Sequence, residues 1–324
     1  MRRSLLPAGV LLGLCCAAMP ALANGRFPAA DQILIDPSDA THWLLRATYG
    51  LLQSHDAGAS WSWICEGAVG YMGDPALTLQ GDGSLLAGYF GAVSASADQG
   101  CGWNTLVLDV QHQYAIDATL DTADRTKSWL LTVSVDGSRN VSLLLVDKSA
   151  KILETLPVGT GFVPMTVEVA PSKPERMYVT GQFDNGPAIV LRSDDRGKTW
   201  QSFDEDAYQG LPLYIAGIDP NNPDRVYARV DDVTSSDVAS SDPSAAGSTT
   251  LGSDHLLVSS DGGETWETVF SPNTDLLGFA LSPDGTRIAV GGPGVGVYLA
   301  NTSDFDFQSA AGKVQVLRCL RWTD

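Results

Sequence analysis

The segment Ser-Ser-Asp-Gly-Gly-Glu-Thr-Trp at residues 259–266 decides the fold, because it recurs along the chain. Three more octets share its pattern Ser-x-Asp-x-Gly-x-x-Trp, at residues 54–61, 96–103 and 193–200. An octet that returns at intervals of tens of residues is typical of an architecture assembled from similar units. We therefore expect a repeat protein.

A second repeated element precedes the octets. An apolar segment, a turn rich in Pro, Asp, Asn or Gly, and a second apolar segment occur at residues 35–45, 169–179, 218–228 and 281–290. Each reads as two strands joined by a turn, and in three of the four cases the octet follows one strand later. Four antiparallel strands in roughly 40–60 residues correspond to one blade of a β-propeller.

This rule predicts six blades, at residues 31–65, 76–108, 113–158, 165–203, 213–270 and 276–307. The octet is degenerate in the third blade (147–150) and in the sixth (301–304). Residues 314–322 are predicted to start a seventh blade that this chain leaves incomplete. Because an open propeller would expose strand edges, either the chain is truncated, which we prefer, or its N-terminal strand completes the last blade. The sequence thus predicts an all-β propeller of four-stranded antiparallel blades over residues 24–324.

The octets resemble the Asp-box, or bacterial neuraminidase repeat, of the superfamily that includes sialidase-like, sortilin-like and photosystem II assembly factor-like propellers. In that superfamily the box is a folding device. Its chemistry agrees, because the aspartate can accept amide hydrogen bonds within the turn, the glycine can take a positive φ, and the tryptophan can be buried. We expect a structural role, rather than catalysis or calcium binding, for Asp56, Trp61, Asp98, Trp103, Asp195, Trp200, Asp261 and Trp266.

The N-terminus predicts export. Arg2 and Arg3 precede an apolar run at residues 5–18, and Ala-Leu-Ala at 21–23 fits a cleavage site, so residues 1–23 are predicted to be a signal peptide. The apolar run is shorter than the roughly 20 residues of a spanning helix. We expect a chain without a membrane span that is exported to the periplasm, the cell surface or the extracellular space.

The charge balance is strongly acidic. The chain has 38 acidic and 20 basic residues, and the loss of the two arginines of the predicted signal would change 20 to 18 and the net charge from −18 to −20. Such a protein repels nucleic acid and anionic lipid, which excludes both as expected partners. Residues 232–254, rich in Ser, Asp, Ala, Gly and Thr, predict a flexible insertion in the fifth blade.

Alternating connections give the predicted propeller two faces. The octets and the first turn of each blade share one face, called here the octet face, and the remaining connections form the loop face. Arg176, Arg225 and Arg287 recur in register after the first turns, with His42 at that place in blade 1, so we interpret them as structural. Rings and charges on the loop face can stack on a sugar or hold a peptide, although these residues can also be ordinary loop residues. The candidate ligand residues are Tyr49, Tyr89, Phe90, Phe183, Asp184, Asn185, Arg46 and Arg229.

Cysteine and histidine give weaker signals. Cys65 and Cys101 lie in adjacent blades and can form a disulfide in an oxidising compartment, or remain separate thiols, and Cys319 is then unpaired. The four histidines have no metal-ligand spacing. No phosphate loop or dinucleotide fingerprint is present in the sequence. We expect a monomer without a metal or cofactor.

Three functions remain open. We favour a secreted, non-enzymatic propeller that binds a protein, peptide or glycan through the loop face. The resemblance also implies an alternative, an exo-sialidase-like or other glycoside hydrolase, with three arginines on the substrate carboxylate, a Tyr–Glu nucleophile pair and an acidic residue. Only Gly25-Arg26-Phe27-Pro28 echoes the sialidase N-terminal motif, and just 7 glutamates are available. A structural module of a larger exported protein is the third hypothesis.

Overall fold

The computed structural model describes residues 30–36, 38–70, 74–108, 113–184, 186–205, 208, 210–231, 253–310 and 317–323. Within them lie six antiparallel sheets of four strands each, and the strands of every sheet are neighbours in chain order. The sheets are the blades of a β-propeller, which confirms the predicted all-β fold. The predicted blade limits agree with the observed ones to within two residues at each end.

Blades 1 to 3 occupy the first half of the described chain. Their strands are β1 (Ala30–Asp36), β2 (Asp39–Ala47), β3 (Gly50–Ser54) and β4 (Ser62–Cys65); β5 (Ala76–Leu79), β6 (Leu85–Tyr89), β7 (Ala92–Ser96) and β8 (Asn104–Val107); and β9 (Gln113–Leu120), β10 (Lys127–Ser134), β11 (Asn140–Asp147) and β12 (Ile152–Thr160). One short helix, α1 (Glu66–Val69), follows β4.

Blades 4 to 6 occupy the second half. Their strands are β13 (Val163–Val169), β14 (Met177–Gln182), β15 (Ala188–Ser193) and β16 (Gln201–Glu205); β17 (Leu213–Ile218), β18 (Val226–Val230), β19 (His255–Ser259) and β20 (Glu267–Phe270); and β21 (Gly278–Leu281), β22 (Arg287–Gly292), β23 (Gly296–Asn301) and β24 (Gln308–Ser309). The first strand of every blade lines the central channel and the fourth lies at the rim.

Burial changes across a blade in the way this arrangement requires. In blade 2, every residue of β6 and β7 is buried, whereas every residue of β8 is exposed. The two middle strands are covered on both faces by neighbouring blades, so they need apolar or small residues at consecutive positions. The rim strand borders solvent.

The core consists of five apolar clusters, and each one joins two consecutive blades, from the pair 1–2 to the pair 5–6. Trp129, Tyr178 and Tyr227 are the largest fully buried side chains. Among the described residues no such cluster joins blade 6 to blade 1. A row of half-buried or exposed side chains on β1 to β4 faces that seam, namely Ile33, Leu45, Leu52 and Trp63.

The expected seventh blade is not observed. Residues 317–323 form no strand, and blade 6 already has its fourth strand in β24. The alternative closure is also wrong, because β1 is the channel strand of blade 1 and pairs with β2. Leu320 instead packs on blade 6, where a Cβ at Gly278 would lie 2.9 Å from the leucine Cγ. The described part of the C-terminal segment therefore lies against blade 6 without forming a strand.

Two predictions fall largely outside the described residues. The signal peptide lies there entirely, and so does most of the fifth-blade insertion, residues 232–252. At the described end of the insertion, Asp254 is fully buried and its Oδ2 accepts a hydrogen bond of 2.7 Å from the Leu276 amide. In the part of the chain that the structure describes, no helix has the length and apolar character needed to cross a membrane.

Candidate functional site: the loop face and the central channel

Phe90 forms the most defined feature of the loop face. It lies in the turn between β6 and β7, is 56% exposed, and forms a backbone bridge to Tyr114, which is 37% exposed. The two ring centroids are 6.3 Å apart with a tilt of 47°. Gly91 takes a φ of 72° in this turn, and its amide donates a 2.9 Å hydrogen bond to the Gln113 carbonyl. The rings are thus fixed by backbone contacts between blades 2 and 3; we call Phe90 and Tyr114 the aromatic pair.

Blade 1 adds two exposed rings. Tyr49 is 42% exposed in the turn between β2 and β3, and Trp63 on β4 is 61% exposed. The indole Nε1 of Trp63 donates a 3.0 Å hydrogen bond to the Tyr49 carbonyl. Tyr114 and Trp63 were missed by the sequence reasoning, although the second aromatic of Trp-Ser-Trp after the first octet was an available signal.

Tyr89 does not belong to the ligand surface. Its ring is buried between blades 1 and 2, and its hydroxyl makes a 2.9 Å hydrogen bond with Ser94. Because β6 is covered on both faces, an aromatic residue inside it is part of the core. The prediction that Tyr89 faces a ligand is wrong.

Phe183 and Asp184 hold blades 3 and 4 together. Phe183 is half-buried and packs edge-on against Phe162, with centroids 6.1 Å apart. Asp184 forms a 2.8 Å ion pair with Arg139 of blade 3. The predicted partner Asn185 lies outside the described residues.

Arg46 and Arg229 have equivalent places in their blades. Arg46 Nη1 donates to the Pro75 carbonyl at 2.8 Å, and Arg229 Nη1 donates to the Leu276 carbonyl at 2.9 Å. Each carbonyl lies just before the channel strand of the next blade. Both guanidinium groups therefore brace neighbouring blades. Three cavities described in the structure contain two arginines (Arg229 and Arg318), two (Arg125 and Arg321) and one (Arg225), so none of them has the three arginines that a sialic-acid carboxylate site would require.

The octets form self-contained turns. In the octet of blade 5, the Ser259 hydroxyl donates to Asp261 and accepts from the Gly263 amide, both at 2.8 Å. Asp261 also accepts from the amide and hydroxyl of Thr265, at 2.9 and 2.6 Å. Gly263 has a φ of 86°, a value that favours glycine.

The same turn occurs in the other three octets. Hydrogen bonds from the Ser60 hydroxyl and from the Thr199 hydroxyl are the main reasons that the pKa values of Asp56 and Asp195 fall to about 2. The amide of Gly102 lowers the pKa of Asp98. These carboxylates are ionised and engaged by their own turns, as expected for structural residues.

The octet tryptophans fall into two pairs. The indoles of Trp61 and Trp103 donate to the carbonyls of Gly58 and Gly100, at 3.0 and 3.1 Å. The indole nitrogens of Trp200 and Trp266 are buried without a hydrogen-bond partner in the described structure. All but Trp61, which is 39% exposed, are half-buried.

The recurring arginines also act between blades. Arg176 is buried, donates to Asp194 at 2.8 Å and to the Tyr178 hydroxyl at 2.9 Å, and forms an ion pair with Asp224 of blade 5. Arg225 of blade 5 likewise donates to the Thr302 carbonyl of blade 6.

Cys65 and Cys101 do not form the disulfide considered from the sequence. Both are free and exposed. Ile64 packs toward blade 2, where a Cβ on Gly100 would contact it. Since neighbouring side chains of a strand point in opposite directions, Cys65 faces away from blade 2 and from Cys101.

The central channel contains two carboxyl groups that the sequence reasoning did not select. Asp117 on β9 accepts a 2.9 Å hydrogen bond from the Val167 amide, and Glu168 on β13 accepts a 3.0 Å bond from Thr119. Burial raises the pKa of Asp117 to about 6. Burial, with a further contribution from the charge of Asp117, raises the pKa of Glu168 to about 8. No motif marks these residues, because their proximity depends on how blades 3 and 4 pack.

The C-terminal segment runs along this channel. Arg318 lies 3.5 Å from Asp31 on β1, toward the loop face. Toward the octet face, the Arg287 guanidinium lies over the ring of Trp322, with 5.0 Å between the guanidinium carbon and the ring centroid. A cavity of about 420 Å³ beside it is lined by Glu168 and Arg321 among others. Within the described residues no group of three His, Cys, Asp or Glu side chains could hold a metal ion.

Comparisons with known proteins support the fold alone. No protein-family model and no curated protein matches the chain. An ancestral GH74 enzyme is 13% identical to this chain, with a TM-score of 0.60, and the match covers 86% of this chain and 37% of the enzyme chain. Hydrazine synthase of Kuenenia stuttgartiensis is 10% identical with a TM-score of 0.62, over 85% and 77%. The Cps50 (Swd1) β-propeller domain of Myceliophteria thermophila is 10% identical with a TM-score of 0.55, over 92% and 90%.

Proposed function

We propose that this chain is an exported, non-catalytic β-propeller that binds a protein, peptide or glycan through its loop face. The aromatic pair carries this proposal. Large rings that stay exposed while their backbones are fixed lose little conformational entropy on binding, and they offer flat apolar surfaces to a sugar or a side chain. The octets are proposed to be Asp-boxes of the sialidase-like superfamily, which supply the scaffold.

The environment of the aromatic pair supports binding rather than hydrolysis there. Tyr89, which precedes Phe90 in the chain, is buried, and Arg46 of the loop face is engaged by the Pro75 carbonyl. Glycoside cleavage needs an acid and a base or nucleophile on opposite sides of the scissile bond. No such pair is among the loop-face residues assigned above.

A glycoside hydrolase remains the second candidate, and the channel carboxyls favour it. Glu168, with a pKa of about 8, keeps its proton at neutral pH, as a general acid must. The charge of Asp117 contributes to this raised pKa. The GH74 neighbour is a glycoside hydrolase by name. The C-terminal segment beside Glu168 argues against access of a polysaccharide to this channel.

Binding and hydrolysis can be separated with one set of variants. Wild type, Phe90→Ala/Tyr114→Ala and Glu168→Gln are tested on a glycan array, a peptide display library, fluorogenic sialosides and β-glucans. Leu153→Ala is the control, because Leu153 is 42% exposed on the rim strand β12, away from the aromatic pair. We expect selected ligands to bind the double alanine variant at least about tenfold more weakly, and the control unchanged. Hydrolysis that is abolished in Glu168→Gln would contradict the proposal and establish the second candidate.

A further inference from the structure

The rim strand of blade 2 differs from most other rim strands. All four residues of β8 are exposed, including Leu106 at 37% and Val107 at 60%. Its sequence, Asn-Thr-Leu-Val, contains neither a charge nor a proline. In the described sheet β8 is paired on one side only, with β7.

The rim strands of blades 3 to 6 have features that prevent another chain from pairing with them. Charges, proline and short length at an edge strand prevent another chain from pairing with it. β12 contains Glu154 and Pro157, β16 ends in Asp204 and Glu205, β20 begins with Glu267, and β24 has 2 residues. β8, with 4 residues, has neither a charge nor a proline, so its free edge is open to strand addition.

The register identifies the backbone groups that face outward. The Leu108 amide donates a 3.0 Å hydrogen bond to the Gly91 carbonyl, so residue 108 points toward β7. Backbone groups alternate in direction along a strand, and Ala92 is opposite Val107. The N–H and C=O groups of Thr105 and Val107 therefore point to the open edge.

The charge of the surrounding chain restricts the partner. Residues 47–124, which include all of blade 2, contain nine acidic residues and no Lys or Arg. Asp82, Asp121 and Asp124 pair with Lys148, Arg196 and Lys127, Asp117 lies in the channel, and Asp109 is outside the described residues. The acidic residues that remain for the surface of blades 1 and 2 are Asp56, Glu66, Asp74 and Asp98. Over the same stretch the rim is apolar, with Val107 and Trp63 both about 60% exposed. A segment that pairs with β8 is therefore favoured when it alternates apolar residues with Lys or Arg.

We propose that β8 is a docking edge for an extended, cationic peptide segment of a partner protein, which adds to blade 2 as a fifth strand. Backbone hydrogen bonds to Thr105 and Val107 supply the pairing, Val107 supplies apolar contact, and the acidic surface attracts the Lys or Arg side chains. Val107 lies close to the turn that carries Phe90, but strand addition uses the backbone of β8 and not the rings of the aromatic pair, so it adds a second binding site to the proposed loop-face function.

A synthetic probe tests the proposal with the full chain. The probe is a capped ten-residue peptide of alternating valine and lysine, and its affinity is measured by calorimetry at low and high salt. Val107→Pro removes the outward N–H but leaves the β7–β8 ladder intact, because that N–H is not part of the ladder. We expect the variant to bind at least about tenfold more weakly than wild type. A peptide of equal charge, N-methylated at every second residue, should lose binding to the same extent.

Other outcomes would overturn the proposal. Equal binding of the plain and the N-methylated peptides, or of wild type and Val107→Pro, would mean adsorption on an acidic surface without strand pairing. If Val107→Pro does not fold, amide exchange in the wild type decides. Peptide should slow exchange at Thr105 and Val107, and unchanged rates there contradict strand addition. Phe90→Ala/Tyr114→Ala should bind the probe like wild type, so failure here and failure of the loop-face function are distinguishable.

Discussion

Blades 1–3 and blades 4–6 share one architecture but differ in how their surfaces are used. Every large apolar side chain that is exposed in the described residues lies in blades 1–3, and these are Tyr49, Trp61, Trp63, Phe90, Leu106, Val107, Tyr114, Val135 and Leu153. Every arginine found over an aromatic ring in those same residues belongs to blades 4–6, and these are Arg176, Arg192, Arg196, Arg225, Arg229 and Arg287.

The difference follows from where the sequence places its cations. Residues 47–124 contain no Lys or Arg, so blade 2 has no guanidinium for bracing. At the position of the recurring arginines, blade 1 has His42, which is buried between Asp36 at 3.0 Å and Gln53 at 2.7 Å. Arginine stems and guanidinium planes cover aromatic rings in the second half. We infer that blades 4–6 are mainly scaffold and that blades 1–3 carry the contact surfaces.

The largest expected effect is at Arg176. Arg176→Met should destabilise the protein by about 2–4 kcal/mol, because it removes the cation that pairs with Asp224, one of the two cations on Asp194, and a hydrogen-bond donor to the buried Tyr178 hydroxyl. Urea unfolding measures the change. The matched control is Arg287→Met at the equivalent place in blade 6, where the exposed guanidinium covers only Trp322. That variant should lose less than about 1 kcal/mol. Equal losses would mean that bracing between blades is not the source of stability.

The channel carboxyls predict a pH dependence of stability. The raised pKa of Glu168, about 8, means that the folded state keeps a proton that the unfolded chain releases above about pH 4.5. Stability should therefore fall as the pH rises from 5 to 9. Glu168→Gln should remove the decline above pH 6 and be more stable than wild type at pH 9, by on the order of 2 kcal/mol. Parallel curves for the two proteins would contradict the assigned environment.

Asp→Asn substitutions in the octets should change stability alike in the two halves, and by less than the substitutions at Arg176 and Glu168. Asp56 and Asp195 both have pKa values lowered to about 2 by hydrogen bonds inside their turns. Their contribution to stability is complete above about pH 4 and is lost as the pH falls to 2. Asp56→Asn and Asp195→Asn should each destabilise at pH 7 and converge with wild type near pH 2. In the degenerate turn of blade 6, the Asp306 amide is the one donor to Asp304 among the described residues, so Asp304→Asn should have no such effect.

The smallest expected effect on stability is at the exposed rings. Phe90→Ala/Tyr114→Ala should change the free energy of unfolding by less than about 1 kcal/mol, because Phe90 is 56% exposed and Tyr114 is 37% exposed, and neither ring belongs to an apolar core cluster of the described residues. Urea unfolding checks this. A loss as large as that of Arg176→Met would show that the aromatic pair is a structural element, and the contrast between the halves would disappear.

Much of the fold could be predicted from the sequence because the octets are local. Ser259, Asp261 and Gly263 satisfy one another within five residues, so their pattern is visible without tertiary information. The turns also gave the blade limits. The octet pattern is degenerate in blades 3 and 6, although in blade 3 Asp147 still accepts a hydrogen bond from the Ser149 amide at 2.9 Å. The six complete blades were predicted, whereas the expected seventh is not observed in the described residues.

The candidate site was less predictable because it depends on packing between blades. The sequence placed Arg46 and Arg229 near the loop face, but the carbonyls that they reach belong to the next blade. Tyr114 meets Phe90 only because β9 lies beside the turn of blade 2. Residues 314–322 read as a strand from their apolar pattern, and the part described, 317–323, lies in the channel without pairing.

Hydroxyl-radical footprinting of the aromatic side chains tests the contrast between the two halves most directly. In the free chain, Trp63, Phe90 and Tyr114 should be oxidised rapidly, whereas Tyr178 and Tyr227, which are fully buried, should be protected. If the first three rings are as protected as the two tyrosines, the exposed aromatic surface of blades 1–3 does not exist, and the loop-face proposal and the contrast between the halves both fail.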